Sequence, residues 1–229
     1  MKLGVSLTCF YYWENKFDIS SRLRYINILK KSGIEAIELY FSEKEIINKD
    51  YKKFSGKLDS LIITVHLPEG LINKKFFENI KEMAEILKVK HFVIHADEYA
   101  KIKDLVKGIK LVIENCDKEK KGFQSLNEVK KLGKDICLDI NHFEENFPGK
   151  LNLKIKNIKD NIKELHISAL NNRLYDYPHK SNARHYLVYG SNCKLSRCLP
   201  KRALWIIEGI IPKNRLDLLK KEIELLRNF

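Results

Sequence analysis

Long apolar runs are missing from this chain. No stretch of about 18 consecutive apolar residues occurs among its 229 residues, which excludes a hydrophobic membrane-spanning helix. Cysteine is sparse: Cys9, Cys116, Cys137, Cys193 and Cys198 are odd in number and form no CxxC pair, which argues against a disulfide framework or a zinc knuckle. Cys137 lies inside an apolar run and reads as core. Cys193 and Cys198 have only a weak ligand spacing. No glycine-rich turn follows the first strand-like segment, so a dinucleotide fold lacks support. Low-complexity linkers and a dense basic tail are also absent. Met1-Lys2 leads straight into Leu3-Gly4-Val5-Ser6-Leu7, which leaves no room for a signal peptide, and the expected location is the cytoplasm.

What the chain does have is positive charge and a regular alternation. Lys and Arg total 43 against 30 acidic residues, a net +13. That excess suits a phosphorylated or polyanionic substrate. It equally suits the solvated helix faces of a chain rich in Lys, Ile, Glu and Asn. With 44% hydrophobic residues, one domain over 1–229 can bury a substantial core. Strand patterns fall at 2–7, 34–39, 61–65, 91–94, 110–113, 135–138, 163–166 and 204–207, with helical patterns between them. Asp18 can cap the first helix, and Gly33 follows its end. Asn73 opens a helix carrying Phe76, Phe77, Ile80, Met83, Ala84 and Leu87 at helical spacing. Ser125 and Glu128 form a capping box. Pro212 precedes a last helix with Leu216, Leu219, Ile223 and Leu226 on one face. The helices after strands 4, 6 and 7 are the least marked. Repeated β-α units with strands buried on both sides suggest a parallel (β/α)8 TIM barrel, with a doubly wound sheet as the alternative. The long segment 167–203 is expected to be functional.

The ends of the strands carry the chemistry. Six apolar runs close on a His, Asp or Glu: His66, His95, Glu114, Asp139, His166 and Glu208. In a parallel barrel all of these emerge at the face where ligands bind. Imidazole and carboxylate are ready ligands of zinc-class divalent ions. Neighbouring strands lie about 4.8 Å apart, so His66, His95 and Glu114 can share one ion. Glu114, Asp139, His166 and Glu208 can share a second, with Glu114 bridging the two. A lone strand-end His usually packs by hydrogen bonding, and a lone buried carboxylate usually has a cationic partner. Six such residues at one end of six strands favour metal. His91 starts its strand, at the opposite face, and reads as structural.

Other residues of the mouth have two readings each. Phe10-Tyr11-Tyr12-Trp13 can stack a ring or pack over the barrel. Lys118, Lys120 and Lys121 can meet phosphate or form a solvated run. Arg173 and Arg184 lie in the long loop, where a guanidinium suits phosphate. Tyr175, Tyr177 and Tyr189 give that loop the composition of a lid. Glu38 is either a substrate-binding residue or a solvated strand end.

Taken together, His66-Leu-Pro-Glu-Gly-Leu-Ile-Asn, Val-Ile-His95, Val-Ile-Glu114-Asn, Cys-Leu-Asp139-Ile-Asn-His142, Leu-His166-Ile-Ser and Ile-Ile-Glu208 resemble the xylose isomerase-like barrel superfamily. It contains endonuclease IV and the sugar (phosphate) isomerases and epimerases. The resemblance implies a metal set of Glu114, Asp139, His166 and Glu208, with the two glutamates exchanging the substrate proton in the isomerase branch. In the endonuclease branch it implies His66 and His95 as further ligands and three zinc ions. There His142 and the His of an Asp-x-His motif hold the third ion. The nearest equivalent here is Ala183-Arg184-His185, so Ala183 stands where the aspartate is expected, with Asp176 or His179 as substitutes. Glu69 replaces the duplex-penetrating tyrosine of that branch. The expected cofactor is therefore two or three divalent ions, zinc or manganese. The reading placed first is metal-activated hydrolysis of a phosphodiester or phosphate-bearing substrate, a small molecule or a nucleic acid. A sugar or sugar-phosphate isomerase or epimerase using Glu114 and Glu208 is the alternative. A non-catalytic, metabolite-binding barrel is the third.

Overall fold

The computed structural model describes residues 1–13, 18–70, 74–176 and 184–229. The side chains of Tyr11, Tyr12 and Trp13, and residues Asn73, Tyr177, His179 and Ala183, lie outside the described residues. Eight parallel strands close in sequence order: β1 Lys2–Ser6, β2 Ala36–Tyr40, β3 Ile62–His66, β4 His91–His95, β5 Leu111–Glu114, β6 Asp135–Asp139, β7 Ile162–Ile167 and β8 Leu204–Ile207. The barrel shuts where β1 pairs with β8, Lys2 opposite Leu204 and Val5 opposite Ile207. Around it lie α1 Ile19–Lys31, α2 Glu43–Ile47, α3 Lys74–Leu87, α4 Ala96–Ile102, α5 Leu126–Lys130, α6 Ile140–Asn146, α7 Leu151–Ile155 and α8 Leu216–Arg227. No helix of the described residues is long and apolar enough to cross a membrane.

The helix starts follow from local chemistry. Asp18 accepts from the Ser21 amide at 2.9 Å, satisfying a first-turn donor of α1 that has no partner within the helix. Ser125 with Glu128 caps α5 reciprocally, and Ser42 with Glu45 does the same for α2. Between β7 and β8 no helix occurs among the described residues. That connection is pinned instead. Tyr186 bridges Ala169 and Ile210, and Glu222 of α8 accepts from the amides of Val188 and Tyr189 at 3.0 and 2.5 Å. The Tyr175 hydroxyl donates to the Ile210 carbonyl and accepts from the Leu187 amide, both at 2.8 Å. Lys221 lies over the Tyr189 ring. Tyr175 and Tyr189 therefore anchor the loop rather than forming a free lid.

Strand residues alternate between the outer face, against the helices, and the barrel interior. On β2, Ile37 and Leu39 join the main core, while Ala36 packs with Leu204, Ile206 and Ile62. The interior is less apolar than the strand runs suggest. In register across β1 to β4 runs a row of Ser6, Glu38, Thr64 and His91, all buried. Gly4 lies in the apolar end of the interior. A Cβ there would stand 2.6 Å from Ile206 Cδ1 and 2.8 Å from both the Cβ and the carbonyl oxygen of Ala36. The neighbouring backbone cannot yield without disturbing the β1–β2 ladder, so Gly4→Ala is expected to cost about 1–3 kcal/mol. Denaturant unfolding checks this; an unchanged midpoint would show that the interior has slack.

Candidate metal centre

The expected ligands complete the ends of their strands. His66, His95, Glu114 and Asp139 are the final residues of β3 to β6, each inside its strand rather than just after it, His166 is penultimate in β7, and Glu208 directly follows β8. Register then does the rest: His95 pairs with Glu114, and Asp139 with His166. Barrel closure returns Glu208 to the same mouth.

Glu114 is the hub. Its Oε2 lies 2.8 Å from His66 Nε2 and 3.3 Å from His95 Nε2, and its Oε1 lies 3.1 Å from His166 Nδ1. Glu208 Oε1 is 3.3 Å from the same His166 nitrogen. The α6 N-terminus positions the next pair: Asp139 caps the helix by accepting from the His142 amide at 2.7 Å. His142 Nδ1 donates to the Asn115 carbonyl at 3.0 Å. His185 arrives from the long loop, its Nδ1 2.9 Å from Ser168 Oγ and 3.8 Å from Glu208 Oε2. Ligand atoms lie within 4.8 Å of one another in His66, His95 and Glu114, in Glu114, Asp139, His166 and Glu208, and in Asp139, His142 and His185. All eight expected ligands are thus brought together. Asp176 is exposed and in no such group.

The electrostatics of the mouth favour positive charge. Burial opposes charge on His95, but Glu114 and Glu69 outweigh it and hold the imidazole up to about 10. Burial likewise works against His66, His142 and His166, and nearby carboxylates nevertheless raise all three, His166 well above its ordinary value. His185 is lowered, chiefly by burial. Burial also opposes the Glu114 charge, yet His166 and His95 keep it well below the usual carboxylate range. On Glu208 burial wins, lifting it to about 7. Asp139 Oδ2 is buried with no hydrogen-bond partner. Leaving such an oxygen unpaired is costly. A cation held by Asp139, Glu114, His166 and Glu208 relieves that cost, and the donor set of two or more carboxylates with imidazole fits a divalent ion.

The remaining candidates take other places. Glu38 is buried behind the His166 ring, Oε2 3.1 Å from Nε2, rather than in the open mouth. Arg173 is exposed and donates to Asn192, and the Arg184 side chain is exposed beside His185. Lys120 bridges to Glu69 at 2.7 Å and Lys118 to Glu145 at 2.7 Å. Phe10 is buried and stacks on Tyr25 at 4.4 Å, so this aromatic packs. Two supports escaped sequence reasoning. Asn115 clamps β5 to β6, accepting from the Asp139 amide at 2.8 Å and donating to its carbonyl at 3.1 Å. Asn141 donates to the Arg184 carbonyl at 2.7 Å and so sets His185. Their only signal is an amide residue following a ligand by one or two positions. Beside the mouth, a cavity of about 390 Å³ is lined by the apolar Ile140, Leu151, Ala169 and Leu170 as well as the polar Asn141 and Ser168.

No family model and no curated protein matches this chain. Solved structures do. A 3-keto-D-glucoside 4-epimerase from E. coli aligns over 100% of both chains with a TM-score of 0.69 at 15% identity. A D-allulose 3-epimerase from Methylomonas sp. aligns over 100% of this chain and 97% of its own, with a TM-score of 0.64 at 12% identity. An L-ribulose 3-epimerase covers 98% and 86%, with a TM-score of 0.56 at 12% identity. The fold shared with these structures is a closed, eight-stranded parallel (β/α)8 TIM barrel. In such a barrel the strand ends form the ligand-binding face. That is where every ligand group described above lies.

Proposed function

We propose that this chain is a divalent-metal-dependent sugar epimerase or isomerase, which moves a proton at a carbon next to a carbonyl. The observation that carries the reading is the convergence of Glu114 and Glu208 on one nitrogen of His166, at 3.1 and 3.3 Å. Two carboxylates so placed can serve opposite faces of a bound substrate. One removes the proton from carbon, the electron pair moves onto the carbonyl oxygen as an enediolate, and the other returns a proton. Return to the opposite face of the same carbon epimerises it; return to the adjacent carbon, with a hydroxyl proton shifted, isomerises it. A divalent ion held by Glu114, Asp139, His166 and Glu208 supplies polarisation of the carbonyl. The three solved structures named above are sugar epimerases, which supports this reading over the hydrolysis placed first from sequence.

The test is solvent deuterium incorporation. With manganese or zinc added, at least one member of a panel of ketoses, their phosphates and keto-glycosides is expected to exchange a single carbon-bound proton. A fully loaded protein that exchanges none would overturn the proposal.

A second reading keeps hydrolysis of a phosphate ester, because His66 and His95 with Glu114, and Asp139 with His142 and His185, offer ligands beyond a single ion. Paired ions activate water and stabilise a leaving oxygen. It requires two or three ions per chain and cleavage of a phosphodiester, such as nicking of abasic DNA; one ion per chain with no cleavage removes it.

A further inference from the structure

The interior face of His166 has its own partners. On β7, Glu164 and His166 are two residues apart and so share the inner side of the strand. Glu164 is fully buried, where a carboxylate persists only with partners. Its Oε2 lies 2.6 Å from His91 Nε2, across the barrel on β4. Its Oε1 lies 3.2 Å from His166 Nε2 and accepts from the Thr64 hydroxyl at 3.5 Å. The other nitrogen of His166, Nδ1, faces Glu114 and Glu208. The two nitrogens of this one ring therefore address two different sets of groups.

A carboxylate only accepts, so in the metal-free protein each nitrogen of His166 that faces one carries a hydrogen; a cation that displaces the hydrogen on Nδ1 leaves the ring protonated at Nε2, with its Nδ1 lone pair on the metal. Glu38 also approaches Nε2, with Oε2 at 3.1 Å. Neither of its carboxylate oxygens has a hydrogen-bond partner, however, so the N–H is aimed at Glu164. We propose that Glu164, braced from behind by His91, is a positioning residue: it keeps His166 protonated at Nε2 and presents the Nδ1 lone pair to a divalent cation shared with Glu114, Asp139 and Glu208. This assigns His91 a part in the site, beyond the structural one its place at the start of β4 suggests. It rests on the reading that the mouth binds a divalent cation, and it does not depend on which reaction follows. Ligating histidines whose second nitrogen is tied to a carboxylate hold metal more tightly, and loss of that partner costs about 10–100-fold in affinity.

The test uses the full chain. Zinc affinity is measured by competition with a chelator, and long-range proton–nitrogen spectra are recorded on ¹⁵N-histidine-labelled, zinc-loaded protein. In the wild type His166 is expected to show zinc on Nδ1 and a strongly downfield Nε2–H. Glu164→Gln is expected to bind zinc about 10–100-fold more weakly and to move that resonance upfield, with circular dichroism unchanged. A purely structural role would leave the resonance where it is. Wild-type affinity in a folded Glu164→Gln variant overturns the proposal. So does a loaded wild type with hydrogen on Nδ1 and zinc on Nε2, and this measurement decides the matter even where the variant fails to fold. A protein that exchanges no sugar proton yet shows these shifts sinks the epimerase reading alone.

Discussion

Glu114→Gln is expected to reduce proton exchange by at least about 10³-fold and to strip the protein of bound divalent metal. Four imidazoles address this one carboxylate: His66 at 2.8 Å, His166 at 3.1 Å, His95 at 3.3 Å and His142 at 3.7 Å. It also belongs to two of the ligand groups at the mouth, so a single substitution weakens both. An amide keeps the shape and loses the charge. Without the anion, burial of His66 and His95 is opposed only by the weaker pulls of Glu38 and Glu69, and both lose the affinity for protons that Glu114 gives them. Two measurements separate the effects. Elemental analysis of dialysed protein reads the loss of metal. Exchange measured at saturating manganese reads the loss of the proton-transfer group. Wild-type values in both would remove Glu114 from the centre.

The second large effect is a stabilisation by metal that grows with pH. His95 is held up to about 10, above its ordinary 6.5. A raised histidine stabilises the fold fully below its unfolded pKa, and that stabilisation drains away as pH climbs through the folded value. Glu208 and Glu222, both lifted to about 7 by burial, act in the same direction: each folded carboxyl keeps a proton that the unfolded chain releases above about 4.5. Glu114 has the opposite sign. Its depressed pKa contributes above the ordinary 4.5 and is lost in acid. The metal-free protein should therefore be most stable at about pH 5–6 and melt at progressively lower temperature toward pH 8. A divalent ion competes with protons for the same nitrogens and oxygens, so it binds better as pH rises. At about 1,000 times its Kd it contributes roughly 4 kcal/mol, or a Tm shift of about 10 °C for a chain of this size. Thermal melts with chelator and with manganese, at about pH 5.5 and pH 8, should show a gap of a few degrees in acid and about 10 °C in base. An equal gap at both would mean that the imidazoles do not ligate.

Much of this site is legible along the chain because its signals are local. An apolar run that ends on His, Asp or Glu marks both a buried strand and a group at its open end, whatever the strand pairs with. The capping box at Ser125 and Glu128 is legible for the same reason, since its partners are three residues apart. Errors arise where an element draws on distant partners. The segment between β7 and β8 makes its bonds to α8 and to Ile210, and no sequence pattern announces those contacts. His91 looks isolated because its partner, Glu164, is 73 residues away. A carboxylate inside an apolar strand was the available clue at both Glu38 and Glu164, since period two places it on the inner face.

The residues themselves thus determined that strands and helices alternate and which chemical groups stand at the strand ends, because both depend on neighbours within a few positions. Only the tertiary structure decided that those groups meet. Closing eight strands into a ring is a joint property of every register and of the β1–β8 pairing, and it alone sets Glu208 beside Glu114, turns Glu164 toward His91, and brings His185 across from a loop.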